Sequence, residues 1–442
     1  MIDTGGVNLK KELTPLLLWG LGVGYVISGM YFGWNLGLKE GGTLGMAIAT
    51  FFSIILYTFF SFSYAELACA IPKAGGVFDY ALHAFGKEVG FIAGIVQMIE
   101  FIFAPPAIAL GIAAYFNLFF PAIPVIWIAI IVYILFTGLN IYGIKAAASF
   151  ELLITMVAVI ELLIFTAVTL PHFKTDHLQQ NAFPNGWSGV LAAIPFAIWF
   201  FLGIEGLANV AEETKNPQKD ISRGFGSSIF TLVVLCILIF ISSIGVGGWQ
   251  TIVYKNGHDG VTSDSPLPLA MATVVGHESW LFHMLLTIGI FGLIASFHGL
   301  ILASGRSTYE FGKSGFGPRI LGRIHSKFKT PALALLVNMG IGILAILTNK
   351  TGEIITLSVL GAVTLYMIAL FSLFKLRKTE ASMHRPYVVP FFPWIPGIAL
   401  TIAMIALIAI VYFNAKLALI YLAILAISFI SFKFFPLHTL KI

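Results

Sequence analysis

Two carboxylates stand where a chain this apolar has few reasons to put them. Glu205 lies in WFFLGIEGLANV, between Gly203 and Gly206, and Glu100 lies in QMIEFIFAPPAIALG, ahead of Pro105 and Pro106. An acid inside an apolar run is expensive, so it marks a place that holds a cation, carries a proton or answers a polar group on a neighbouring helix. For Glu205 the alternatives to a working acid are a protonated hydrogen-bond donor or a paired structural acid; for Glu100, a buried helix–helix hydrogen bond. Glu151 and Glu161 share a later run, the first close enough to its end to be solvated. Ser296 and His298, in IASFHGLILASGR, can line a cation site or carry a proton, although a satisfied core histidine answers the same pattern. Trp199 precedes Glu205 by six positions, where its ring face can meet a cation, and Phe101 adjoins Glu100. Tyr25, Phe32 and Phe200 are further aromatics near these positions.

The elements that must carry these residues follow from composition. Of 442 residues 58% are hydrophobic and 10% are charged, with a mean hydropathy of +0.95; a soluble domain carries about a quarter charged residues. The solvent is therefore mostly lipid. Breaks at Pro, Gly and charge give about twelve apolar spans, near 14–38, 44–70, 89–119, 123–143, 148–170, 189–211, 224–247, 281–311, 331–348, 354–376, 394–413 and 417–435. The first follows Lys10 and Lys11 but has no small-residue cleavage site, so it is expected to be retained. Cys69 and Cys236 lie within apolar runs and form neither a disulfide framework nor a metal pattern. With the amino terminus placed inside, 20 of the 25 Lys and Arg residues fall in inner loops, Lys145 and Lys441 among them, and only Lys39, Lys174, Lys255, Lys350 and Lys416 fall outside. That bias predicts an inner or plasma membrane protein with both termini cytoplasmic.

The first and sixth spans share a pattern. LGVGYVISGMYFGWN places Ser28 beside Gly29, and AIWFFLGIEGLANV places Glu205 between glycines five spans later. Glycine-interrupted spans at matching positions point to an inverted-repeat carrier. The expected organisation is a terminus at 1–13, a first repeat at 14–171, a second at 189–377, and two added spans at 394–436. A helix that unwinds in hydrocarbon exposes peptide groups, which persist only where protein, water or ligand satisfies them. The break at Ser28 and Gly29 and the one at Gly203, Glu205 and Gly206 are thus the expected substrate-binding segments. Together with Glu100, Phe101 and Trp199 they form the candidate site, with Trp199, Glu205, Ser296 and His298 as candidate coupling or gating residues. Gly22 and Gly24 serve close helix packing equally well.

At this point the chain resembles the amino acid, polyamine and organocation transporter superfamily over nearly its whole length. The resemblance rests on AELACAIPKAGGVFDYALHAFGKEVGF, on Gly203-Ile204-Glu205 with Ala211-Glu212-Glu213 and Lys215-Asn216-Pro217, and on GRSTYEFGKSGFGPRILGRIHSKFKTP. It implies a five-plus-five inverted repeat of about twelve helices with broken first and sixth spans, working by alternating access. It also implies that the first-span break, Ile27, Ser28, Gly29 and Met30, faces the polar end groups of the substrate, with a gate at Trp199 and an inner gate or proton-sensitive acid at Glu205. Asn35 to Gly42, QMIEFIFAP, WFFLGIEG and FGLIASFHGLILASGR look most like bacterial ethanolamine permeases, which implies a small protonated amine, with an amino acid substrate as the alternative. Some proton-coupled relatives carry a fifth-span lysine that the run from Ala146 to Leu170 lacks, so the coupling ion stays open between proton and sodium. No cofactor or nucleic-acid partner is expected, and the sequence carries no signal for an oligomer. An embedded enzyme is disfavoured: GVGYVISG has no strand before it, and no H-E-x-x-H, nucleophile elbow or phosphate loop occurs. A channel would favour a continuous polar helix face, whereas polarity here concentrates at two breaks.

Overall fold

The structure is a computed structural model that describes residues 11–143 and 148–434. Residues 1–10 of the expected terminal segment, Lys145, Lys441 and the end of the 394–436 segment lie outside the described residues. Among those described, ten helices are long and apolar enough to cross a membrane, from Asn35–Ala70 to Ala415–Phe434. Two more of the expected spans are helical but shorter. One is Pro15–Val26 with Ser28–Tyr31, and the other is Ala332–Ile346, whose 15 residues rise only about 22 Å. All twelve expected apolar segments are thus helical. Extended pairing is confined, among the described residues, to two isolated bridges, Leu13 with Thr214 and Tyr254 with Thr262.

The third span, Lys87–Phe119, runs through the centre with 89% of its apolar window buried, packed on the eighth and tenth spans. The first packs on the fifth, seventh and eighth. The last span, Ala415–Phe434, has only 11% of its window buried, so lipid is its main neighbour. Phe230, Trp280 and Ile408 project from the bundle with about seven-tenths of their surface exposed, as suits helices that face lipid.

Both expected breaks exist, and one lies elsewhere than the sequence placed it. In the first span Ile27 is a hitch between two helices, with right-handed φ −58 and ψ −24, and the amide of Met30 donates to its carbonyl. The full interruption comes at residues 32–34, where Phe32 is extended and Gly33 takes φ +89, a conformation suited to glycine. The Gly33 amide is then held by Asn35 Oδ1 at 3.1 Å. Helix resumes at Asn35 and turns at Gly42, φ +63, before entering the second span. In the sixth span the α-helix Gly186–Trp199 stops, Gly203 takes φ +103, and a 3-10 helix, Ile204–Glu213, continues to the end. Two short helices, Val77–Phe85 and Pro266–Val275, lie in the connections between spans.

Candidate functional site

The two interruptions touch. A Cβ added to Gly29 would sit 2.5 Å from the carbonyl oxygen of Trp199 and 3.0 Å from that of Phe200, so only glycine lets the first span lie against the sixth here. Trp199 Nε1 donates to the carbonyl of Phe32 at 3.1 Å, and the two rings meet edge to face with centroids 5.6 Å apart. Tyr25 is the counterpart on the other side of the hitch: its carbonyl lies beside Gly203 and its ring beside Gly206. Ser296 Oγ, from the eighth span, donates to the Tyr25 carbonyl at 2.6 Å and pairs with Ser28 Oγ at 2.8 Å. The peptide group loosened by the hitch is thus satisfied by side chains.

Glu205 is 2% exposed and sits inside this contact. Its Oε1 accepts from the Gly203 amide at 3.1 Å, a bond that the positive φ of Gly203 makes available, and its Oε2 accepts from the Tyr366 hydroxyl at 3.0 Å. Tyr366 is in turn paired with the Tyr57 hydroxyl at 2.9 Å. Glu100, fully buried, brings its carboxyl beside that of Glu205, with no hydrogen bond of good geometry to either of its oxygens. Two acids buried side by side must be neutralised by a proton or by a cation lying between them. Phe101 closes one side, its ring tip about 4.0 Å from a Cβ placed on Gly206. The arrangement can therefore hold a small cation between carboxyl, peptide and aromatic surfaces. Among the described residues no group of three or more His, Cys, Asp or Glu gathers as a metal centre.

Of the residues singled out from sequence, Ile27, Ser28, Gly29, Met30, Glu100, Phe101, Trp199, Gly203, Glu205, Gly206 and Ser296 belong to this buried centre. His298 does not. Two positions along a helix turn its side chain away from that of Ser296, and its Nδ1 pairs with Asn140 Nδ2 at 2.9 Å on the fourth span. Sequence reasoning missed Tyr57 and Tyr366, because a tyrosine in a long apolar run carries no sign of the partner it will meet. It also missed Tyr31, whose hydroxyl donates to Glu161 Oε2 at 2.5 Å.

Both ends of the centre are closed by contacts. At one end Arg306 pairs with Glu213 at 2.9 Å, the Leu13 amide donates to the Glu213 carbonyl, and the Lys215 amide donates to the Leu13 carbonyl, each at 3.0 Å. At the other, Asn35 Nδ2 donates to the carbonyls of Ile252 and Ser263, at 3.1 and 2.8 Å, holding the loop after the seventh span over the Gly33 break.

The chain is 26% identical to the methylthioribose transporter of Bacillus subtilis, covering 87% of this chain and 85% of the relative. It is 25% identical to the branched-chain amino acid permease of the same organism, covering 88% and 85%, and 27% identical to the low-affinity putrescine importer of Escherichia coli strain K12, covering 78% and 76%. The pattern of the amino acid permease family matches residues 15–430. With that match spanning both broken helices and the acids between them, the chain belongs to the amino acid permease family of the amino acid, polyamine and organocation superfamily.

Proposed function

We propose that this permease imports a small protonated amine, ethanolamine foremost, by alternating access around the two broken spans. The observation that carries the reading is the pair Glu100 and Glu205, buried side by side with the Phe101 ring close to Gly206. Two buried acids with an aromatic ring close by suit an ammonium group better than a zwitterion, whose carboxylate would meet like charge. In this reading the Gly29 and Gly203 segments hold the substrate's polar end, Trp199 covers it, and the Glu205–Tyr366 bond breaks and reforms as the site opens. Residues 14–171 and 189–377 act as the two inverted halves, with 394–436 outside them. The basic loop bias puts both termini in the cytoplasm of a cell with this protein in its inner or plasma membrane.

A second reading, an amino acid permease or exchanger of the same superfamily, is favoured by one observation. The branched-chain amino acid permease aligns over 88% of this chain, against 78% for the putrescine importer. A competition panel in proteoliposomes at two pH values, with and without sodium, separates them. Ethanolamine is expected to outcompete glycine and alanine; stronger competition by the amino acids selects the second reading. Glu205→Gln is expected to abolish concentrative uptake while the protein still inserts and purifies, and undiminished accumulation by that variant refutes the role given to the acid.

A further inference from the structure

Glu161 is fully buried in the fifth span, Ala148–Thr169, away from the acids at the centre. Its Oε2 accepts from the Tyr31 hydroxyl at 2.5 Å, while its Oε1 has no hydrogen-bond partner among the described residues. Tyr31 is no ordinary neighbour, because it ends the short helix Ser28–Tyr31 just before the main interruption of the first span. It is gripped from two further sides. The Tyr115 hydroxyl, from the third span, donates to its carbonyl at 3.0 Å, and its ring lies where side chains on Gly289 and Gly292 of the eighth span would stand. Movement of the broken segment therefore carries Tyr31 with it and changes what Glu161 touches.

We propose that Glu161 is the binding site for a coupled proton, read through Tyr31 and not through contacts with the substrate. A buried carboxyl with a single donor is tolerated far better neutral than charged. The titratable groups facing it are Tyr31 and Tyr115; among the described residues neither the first, seventh nor eighth span brings a cationic side chain to it. A metal cation fits poorly, because one free carboxylate oxygen and a hydroxyl already committed fall short of the several oxygens a hard cation requires. In the proposed cycle the carboxylate takes a proton from hydronium while the first span is open on one side, an O–H bond of the hydronium breaking to release water as a new O–H bond forms at Oε1. Closure around the neutral acid is favoured, and opening on the other side returns the proton to water. Tyr31 keeps its own proton throughout and reports the charge of its partner through the strength of their bond. This inference rests on the proposed reading of the chain as a coupled amine importer.

The test uses the full chain in proteoliposomes, with labelled ethanolamine outside and a pH dye inside. Wild type is expected to acidify the lumen as ethanolamine enters. Glu161→Gln is expected to lose that proton movement and uphill accumulation while retaining ethanolamine counterflow. Proton movement that persists in Glu161→Gln overturns the proposal. Wild-type counterflow without proton movement also overturns it and leaves the amine reading intact, whereas no ethanolamine counterflow in wild type sinks the amine reading instead. A substrate-free measurement then decides for Glu161 alone: infrared difference spectra should show a carboxyl band that titrates with pH in wild type and is missing in Glu161→Gln. An unchanged band refutes the assignment. If Glu161→Gln fails to fold, Tyr31→Phe is expected to move the midpoint of that band and of the pH profile for net uptake, and an unmoved midpoint counts against the proposal.

Discussion

Tyr366 donates its hydroxyl to Oε2 of Glu205 at 3.0 Å, joining two residues 161 positions apart. One belongs to a continuous helix, Thr351–Thr379, and the other to the 3-10 stretch after the sixth-span break. The bond therefore spans a rigid element and one that has already given up its α-helical ladder, which makes it a natural place for the closed centre to part. Tyr366→Phe removes that donor and leaves the buried acid with the Gly203 amide and the neighbouring Glu100 carboxyl. A hydrogen bond to a charged group contributes about 1.5–3 kcal/mol, so initial uptake rates are expected to fall by roughly ten- to a hundredfold. Rates measured in proteoliposomes at matched protein density check this, and a change below twofold would contradict it.

Gly29→Ala tests the meeting of the breaks. Its Cβ would crowd two backbone carbonyls, 2.5 and 3.0 Å away, neither of which can swing aside as a side chain can. Transport is expected to be lost and the unfolding temperature in detergent to drop, while Gly138→Ala, with nothing within 4 Å of the added methyl, leaves both unchanged. Equal effects at the two positions would show that tight contact at Gly29 is unimportant.

Glu66 should be a stability residue. It is 1% exposed and takes two bonds from Arg377, at 2.7 and 2.6 Å, one from the Val389 amide at 2.8 Å, and a charge contact with Arg385 at 3.3 Å. Removing one partner from a buried ion pair costs about 3–5 kcal/mol because the other charge is stranded. Glu66→Ala is expected to lower the thermal unfolding midpoint markedly. Arg377→Lys, which loses the two-pronged geometry, should fall between wild type and Arg377→Ala in the same melt.

The loop over the Gly33 break carries a pH dependence of its own. Asp264 accepts from the Thr351 hydroxyl at 2.6 Å. Burial pushes its carboxyl above the usual aspartate range, with the Thr351 bond and the charge of Lys255 pulling partly back. A group whose folded-state affinity for protons is raised contributes stability that is complete below the ordinary aspartate value of about 3.9 and is lost as pH rises through the folded value. Amide exchange in residues 249–265, corrected for intrinsic rates, should therefore slow in acidic buffer. Asp264→Asn should abolish that pH dependence.

Asn35→Ala should loosen the same loop at every pH. Its amide supplies both bonds to the Ile252 and Ser263 carbonyls, and its oxygen holds the Gly33 amide. Faster exchange over 249–265 and a raised half-saturation concentration for uptake are the expected signs. Unaltered exchange would mean that the loop is held elsewhere.

Much of this molecule was legible in one dimension because lipid imposes a simple rule. Apolar runs of spanning length must be helical to satisfy their own peptide groups, so the twelve segments and the exceptional status of Glu205 and Glu100 could be read directly. Glycine pairs announced that the first and sixth spans would be interrupted. The location of the first interruption was decided by tertiary contacts: Gly33, held by Asn35, yields where Trp199 anchors the Phe32 carbonyl, while Ser28 and Gly29 stay within a helical turn packed on Ser296 and Trp199. The same limit separates Ser296 from His298 and hides Tyr366 and Tyr31, since periodicity tells which residues share a helix face but not which helix that face will meet. Composition and spacing thus determined that this chain lives in a membrane, with interrupted helices and buried acids. Which groups satisfy those acids was settled only by packing, because hydrogen bonds between distant spans depend on distances that no local pattern encodes.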